Sequence, residues 1–268
     1  MEILAYAIWG ALGTCLVIGV VLFIYARLRT RCEDTASDEV KQPDTAATGL
    51  SEERWEQLIA IFRLHTCTLP ETEEERIAWA QEHLGIEAEW LAGEDVSMFP
   101  FLSFNNAVDD AVDFISTLKS AGSEVLLYVV KPRGILLAEE IMDACAVLCF
   151  AAPVSNAGCN TWRYFPVNVY WEWGYPPERV QCSQIIYTAM QAGLEIKGLE
   201  VEQADIYDLL EGKRIPATML EDPESSWDPR VLASAGEDLA GVKKGMLAAQ
   251  ELMEIISAHG WDQEAKRD

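Results

Sequence analysis

The chain has 268 residues, 50% of them hydrophobic, with 44 Asp and Glu against 20 Lys and Arg, a formal net charge of −24. That apolar content supplies a core of ordinary size. The charge excludes DNA, RNA and anionic lipid surfaces as partners, because binding them needs cationic groups that release counterions, whereas a basic protein partner fits it.

Residues 3–26, ILAYAIWGALGTCLVIGVVLFIYA, carry no charge. A helix of that length, rising about 1.5 Å per residue, crosses the ~30 Å of bilayer hydrocarbon, so the run reads as a single transmembrane helix. Only Met1 and Glu2 precede it and no small-residue cleavage site closes it, which fits an uncleaved anchor better than a signal peptide. Arg27, Arg29 and Arg31 follow it directly. Lys and Arg stay on the cytoplasmic side, so this collar places the N-terminus outside and the remainder of the chain in the cytoplasm. Ala7, Ala11, Cys15 and Gly19 recur every fourth residue, a stripe of small side chains on which a second copy's helix would pack in a homodimer. Residues 27–50 are polar, contain Pro43 and Gly49, lack an apolar period, and read as a flexible acidic linker.

Residues 51–95 carry the signals of a helical hairpin. Ser51 caps a helix whose Trp55, Leu58, Ile59 and Phe62 share a face. Thr72 and Glu75 form a capping box for a second helix, with Ile77, Trp79, Ala80 and Leu84 on its apolar side and Gly85 at its end.

The α/β domain follows, over residues 96–268. Asn105 or Asn106 opens a helix lined by Val108, Ala111, Val112, Ile115 and Leu118. The runs EVLLYVV (124–130) and AVLCFAAPV (146–154) read as buried strands, and ILLAEEIMDA (135–144) as a helix between them. That order predicts a parallel crossover and a small, mainly parallel sheet. A helix through residues 183–193, a strand in LEIKGLEV and a helix closed by Gly212 come next. Leu232, Ala235, Leu239, Val242, Met246, Ala249, Met253 and Ile256 step by three and four, predicting one long C-terminal helix over 230–259. Gly236, Gly241 and Gly245 weaken it as a free helix, so the seam faces its own domain.

Little in the chain points to catalysis. His65, His83 and His259 all sit where a helix ends, a position that favours a cation electrostatically. The nucleophile-elbow, zinc-protease, phosphate-loop and dinucleotide motifs are missing, and no spacing of Cys and His suits a metal or cofactor. Cys32 is a juxtamembrane acylation candidate. Cys67, Cys145, Cys149, Cys159 and Cys182 are scattered through apolar segments and read as buried thiols in a reducing compartment.

One local pattern suggests chemistry. A helix and a strand lead to the turn Lys131-Pro132-Arg133-Gly134; a helix and a strand then lead to Ser155, with Gly158 close by. This order resembles the ClpP and signal-peptide-peptidase family of serine proteases. The resemblance implies Gly134 in an oxyanion region and Ser155 as nucleophile, the backbone donors and activated hydroxyl that acyl transfer requires. It stops at Gly158, Arg133 stands where the family has the first glycine of a Pro-Gly-Gly turn, and neither Lys197 nor Lys213 lies in a motif that would make it the base.

The second candidate site is the aromatic stretch 162–175, with Trp162, Arg163, Tyr164, Trp171, Trp173 and Tyr175. Trp, Tyr and Arg dominate binding hot spots because they bury a large area and keep a polar tip; the same rings would equally fill the core of an irregular subdomain. Together these features predict a single-pass anchored acidic domain that binds or regulates a protein. A membrane-anchored serine hydrolase and a structural subunit of a membrane complex are the alternatives.

Overall fold

Each long strand of the domain carries apolar side chains on both faces, and a sheet built from such strands has to be covered twice. The computed structural model describes residues 49–104, 107–120, 124–137, 141, 144–154, 161–219, 226–235 and 247–261. The anchor over 3–26, its small-residue stripe and nearly all of the linker lie outside these residues, and no helix among the described residues is long and apolar enough to cross a membrane. Residues 49–268 form one compact unit of α/β class.

Helix α1 (Glu52–Phe62) starts where Ser51 Oγ accepts the Arg54 N–H, and it ends at Arg63, which takes a left-handed conformation. Helix α2 (Glu73–Trp79) is capped by Thr72, which accepts the Glu75 N–H and donates to the Glu75 carboxylate at 2.8 Å. It runs on as a wider turn through Leu84 and stops at Gly85, whose φ of 71° suits glycine. The two helices meet where Trp55 and Trp79 pack edge to face, with the Arg76 guanidinium over Trp55. The short helix α3 (Ala88–Leu91) adds Trp90 and Leu91 to the same apolar side.

Helix α4 (Val108–Ser120) buries the five residues expected of it and leads to strand β1 (Leu126–Pro132). Strands β2 (Cys145–Pro153), β3 (Trp162–Pro166) and β4 (Trp171–Glu172) follow, then α5 (Pro176–Gln191), β5 (Glu195–Val201), α6 (Gln203–Leu210), β6 (Ser226–Trp227) and α7 (Ala249–Ala258). The sheet order is β3-β2-β1-β5-β6, with β4 also on β2.

The sheet is mixed. The pair β1–β5 is parallel, and the other pairings among the described strands are antiparallel. This corrects the expected parallel crossover: β1 and β2 run in opposite directions, with Leu126 opposite Ala151 and Val130 opposite Val147. Ile135, Leu136, Leu137, Ile141 and Ala144, the described residues of the expected intervening helix, are not helical. The apolar run misled because it reports burial on both faces and carries no information about direction. Leu127, Val129, Leu148 and Phe150 face one core, which α4, α5 and α7 cover. Tyr128, Val130, Val147 and Cys149 face the other, which the hairpin and α6 cover.

The long C-terminal helix is corrected as well. Pro229–Leu232 is a single tight turn, Ala233–Ala235 and Leu247–Ala248 are not helical, and residues 236–246 lie outside the described residues. In α7 the core-facing pair is Leu252 and Ile256, while Met253 of the expected seam is turned outward.

Candidate functional site

The turn that follows β1 is held from within the fold. Lys131 is buried, and its Nζ lies 2.6 Å from Glu200 Oε1 and donates to the Ile135 carbonyl at 2.7 Å, with the Trp227 ring 5.4 Å away. Gly134 has φ 71°, and its N–H donates to Glu200 Oε2 at 3.2 Å. The N–H groups of Arg133 and Ile135 donate to the carbonyls of Val201 and Pro132. Arg133 also lies 3.3 Å from Glu202. Lys131, hydrogen-bonded to Glu200, holds that carboxyl below the usual range, with Gly134 N–H and the Arg133 charge adding to the effect against partial burial. The one N–H that the protease resemblance assigns to an oxyanion therefore already serves a carboxylate.

Strand direction places the turn at Gly134 and the described end of the β2 segment, Val154, apart. Gly134 follows the C-terminal end of β1. Ser155 lies outside the described residues, but Val154, its neighbour in the chain, lies past Ala151 and so beyond the N-terminal end of β1. The length of β1, about 20 Å at ~3.3 Å per residue, stands between the two positions. Gly134 and Val154, the last described residue before Ser155, thus lie at opposite ends of β1.

The aromatic stretch is divided between the two cores. Trp171 is fully buried and its Nε1–H donates to Gln181 Oε1 at 2.9 Å, while Gln181 Nε2 donates to the Phe104 carbonyl. Trp173 is buried in the same core, and its carbonyl accepts from Arg179. Tyr164 lies in the opposite core between Phe62 and Tyr128, and burial pushes its hydroxyl pKa up. Burial likewise pushes Tyr128 up to about 12. Trp162 and Arg163 are half-buried at the β3 edge. The Arg163 guanidinium packs against Gly85, donates to the Glu82 carbonyl at 3.0 Å and lies 5.1 Å from the Phe165 ring; its Nε is buried without a hydrogen-bond partner. Burial lowers its pKa. Of the six, Tyr175 is the well-exposed one, just ahead of α5. Trp171 and Trp173 thus serve as core on one side of the sheet and Tyr164, with Trp162 packed against the same cluster, on the other, so the six do not form one surface.

A different surface emerges, which the sequence reading missed. Phe101 is 79% exposed and Tyr207 51% exposed. Asn168 ties their neighbourhoods together: its Oδ1 accepts the Leu102 N–H at 2.8 Å, and its Nδ2 donates to the Leu210 carbonyl at the end of α6. Gly212 is needed in the same junction, because a Cβ there would stand 2.2 Å from Ser97 Oγ. Tyr170 and Tyr207 stack, with rings 6.4 Å apart and 5° from parallel. Glu211, Asp208 and Asp95 converge on Lys213 and raise its pKa, Glu211 contributing most. The exposed Tyr207 and an acidic cluster therefore lie on α6 and just past its end, to which Asn168 ties the segment carrying Phe101. In the sequence, Phe101 was indistinguishable from the buried Phe99 and Phe104 that flank it.

A shallow groove on the other edge of the sheet, beside Trp227 and Gly198, is lined by charges that are already paired, Lys197 with Glu195 and Arg230 with Asp228. Among the described residues no three His, Cys, Asp or Glu side chains are grouped to hold a metal ion. Cys145, Cys149 and Cys182 are buried thiols as expected, but Cys67 is disulfide-bonded, which corrects the reading of all these cysteines as thiols. No family model, curated protein or solved structure matches the chain.

Proposed function

We propose that the chain is a membrane-anchored interaction module. Residues 3–26 hold it to the bilayer, the collar of Arg27, Arg29 and Arg31 keeps the domain on the cytoplasmic side, and the domain presents an acidic, aromatic surface to a basic protein partner. The observation that carries the reading is the neighbourhood of Phe101, Tyr207, Asp95, Asp208 and Glu211. Exposed aromatic rings supply area and anchoring, and an acidic cluster outnumbering its single lysine steers a cationic partner to them. The net charge of −24 extends that steering over the domain.

The test is photo-crosslinking of the full chain in its native membrane, with benzophenone-alanine placed at position 101 or 207 and, as control, at position 253 on α7. A discrete product from 101 and 207 but not from 253, lost at high salt and in Asp95→Asn/Asp208→Asn, is the expected result, since exposed charge pairs are screened beyond a Debye length. No product from either aromatic position, or one indifferent to salt and to the two carboxylates, overturns the reading.

A further inference from the structure

Tyr207 offers a flat ring to solvent, and the fold holds that ring still. It lies on α6, half-exposed, and stacks on Tyr170 with the rings 5° from parallel and 6.4 Å apart. Tyr170 is itself hydrogen-bonded to Gln203, one helical turn before Tyr207, and to the buried Cys145. One side of the Tyr207 ring therefore rests on a fixed neighbour, and a group laid on its exposed part meets little ordering cost. The Glu211 N–H donates to the Tyr207 carbonyl at 2.9 Å, which sets Glu211 one turn later on the same side of the helix, and helical side chains lean back over the preceding turn. Of the carboxylates here, Asp205 pairs with Arg214 and Glu211 with Lys213, whereas Asp208 and Asp95 act on Lys213 through their charge alone. Glu211, Asp208 and Asp95 against the one lysine leave the end of α6 negative.

We infer that the exposed face of Tyr207 receives an arginine side chain of the partner. The inference rests on the acidic docking surface proposed above and narrows its partner to an arginine-bearing segment. A cation placed over an aromatic face is drawn by the quadrupole of the ring. The guanidinium is planar and weakly hydrated, so it lies flat on the ring and keeps its edge N–H groups for carboxylates such as Asp208 and Glu211. A lysine ammonium is a strongly hydrated point charge and gains less from a ring it touches on one side. A quaternary ammonium needs several rings closed around it as a cage, whereas Tyr170 and Tyr207 are stacked on each other. The net charge of −24 attracts lysine and arginine alike, and the ring is what tells them apart.

The experiment is fluorescence anisotropy of the full chain, held in zwitterionic detergent micelles, with two labelled flexible peptides that carry arginines or lysines at the same positions. At physiological salt the arginine peptide should bind about two- to fivefold more tightly, the ratio that one exposed cation–ring contact gives. Tyr207→Leu should bring the ratio to one, and Tyr207→Phe, which keeps the ring and its stack, should preserve it. Tyr175→Leu, at another exposed ring, should leave it unchanged. A ratio of one in the wild type, one that survives Tyr207→Leu, or one that is lost in Tyr207→Phe or Tyr175→Leu overturns the arginine site and leaves the acidic docking surface standing. Failure of both peptides to bind, or binding that raised salt does not weaken, overturns both.

Discussion

Lys131 and Glu200 stand directly opposite each other on the parallel strands β1 and β5, with Nζ 2.6 Å from Oε1. The lysine is nearly enclosed, the carboxylate a quarter exposed, and the same carboxylate carries the Gly134 N–H. The pair therefore joins two strands and fixes the turn that leaves them. Removing one partner of a buried ion pair costs more than replacing both, because the survivor stays buried with its charge. Glu200→Gln should lower unfolding stability by about 3 kcal/mol, and Lys131→Met/Glu200→Leu by less than the single change. Denaturant unfolding at neutral pH measures both. The Glu200 pKa is lowered in the folded state, so its contribution is present above the unfolded carboxylate pKa and is lost as pH falls through the folded one. The difference between the wild type and Glu200→Gln should shrink as pH is lowered below the usual carboxylate range. A constant difference down to that pH would show that the charge of Glu200 contributes nothing.

Trp171 and Phe101 illustrate the two fates of the large rings. Trp171 is fully enclosed and donates to the buried Gln181, whose amide bonds the Phe104 carbonyl. Trp171→Phe removes that bond and some ring volume, and should cost about 2 kcal/mol or more. Phe101→Ala touches a side chain that is 79% exposed and should stay within about 0.5 kcal/mol of wild type. Circular dichroism melts of the two variants test the ordering. Equal losses would mean that Phe101 is covered within the fold.

The sequence made helix ends legible because capping is local chemistry. Ser51, Thr72, Gly85 and Gly212 each mark a boundary at the residue that makes it, through a side-chain oxygen or a positive φ. Strand positions were legible for the same reason, but strand direction depends on the whole topology. Val125 to Val130 alternate between two cores, and both halves of that alternation are apolar, so a hairpin and a crossover look alike. The C-terminal pattern failed differently. Its three-and-four spacing selected Met253, while the fold uses Leu252 beside Ile256, a shift that a seam read without its packing partner cannot detect. The candidate surface was hidden because it joins segments far apart in the chain, which Asn168 bridges through the Leu102 N–H and the Leu210 carbonyl.

The hydrolase alternative makes a sharp prediction, and the sheet opposes it. Acyl transfer needs a hydroxyl and free backbone donors about 3 Å from the same reacting carbonyl. The Gly134 N–H is bonded to Glu200, whose negative charge would repel an oxyanion formed there. Val154, next to Ser155, lies at the other end of β1, about 20 Å away at ~3.3 Å per residue. The full chain treated with a fluorophosphonate probe should therefore take up no label at Ser155, and Ser155→Ala should match the wild type in every labelling assay. Stoichiometric labelling that Ser155→Ala removes would demand an oxyanion site built from groups other than Gly134, and with it a catalytic role for the chain.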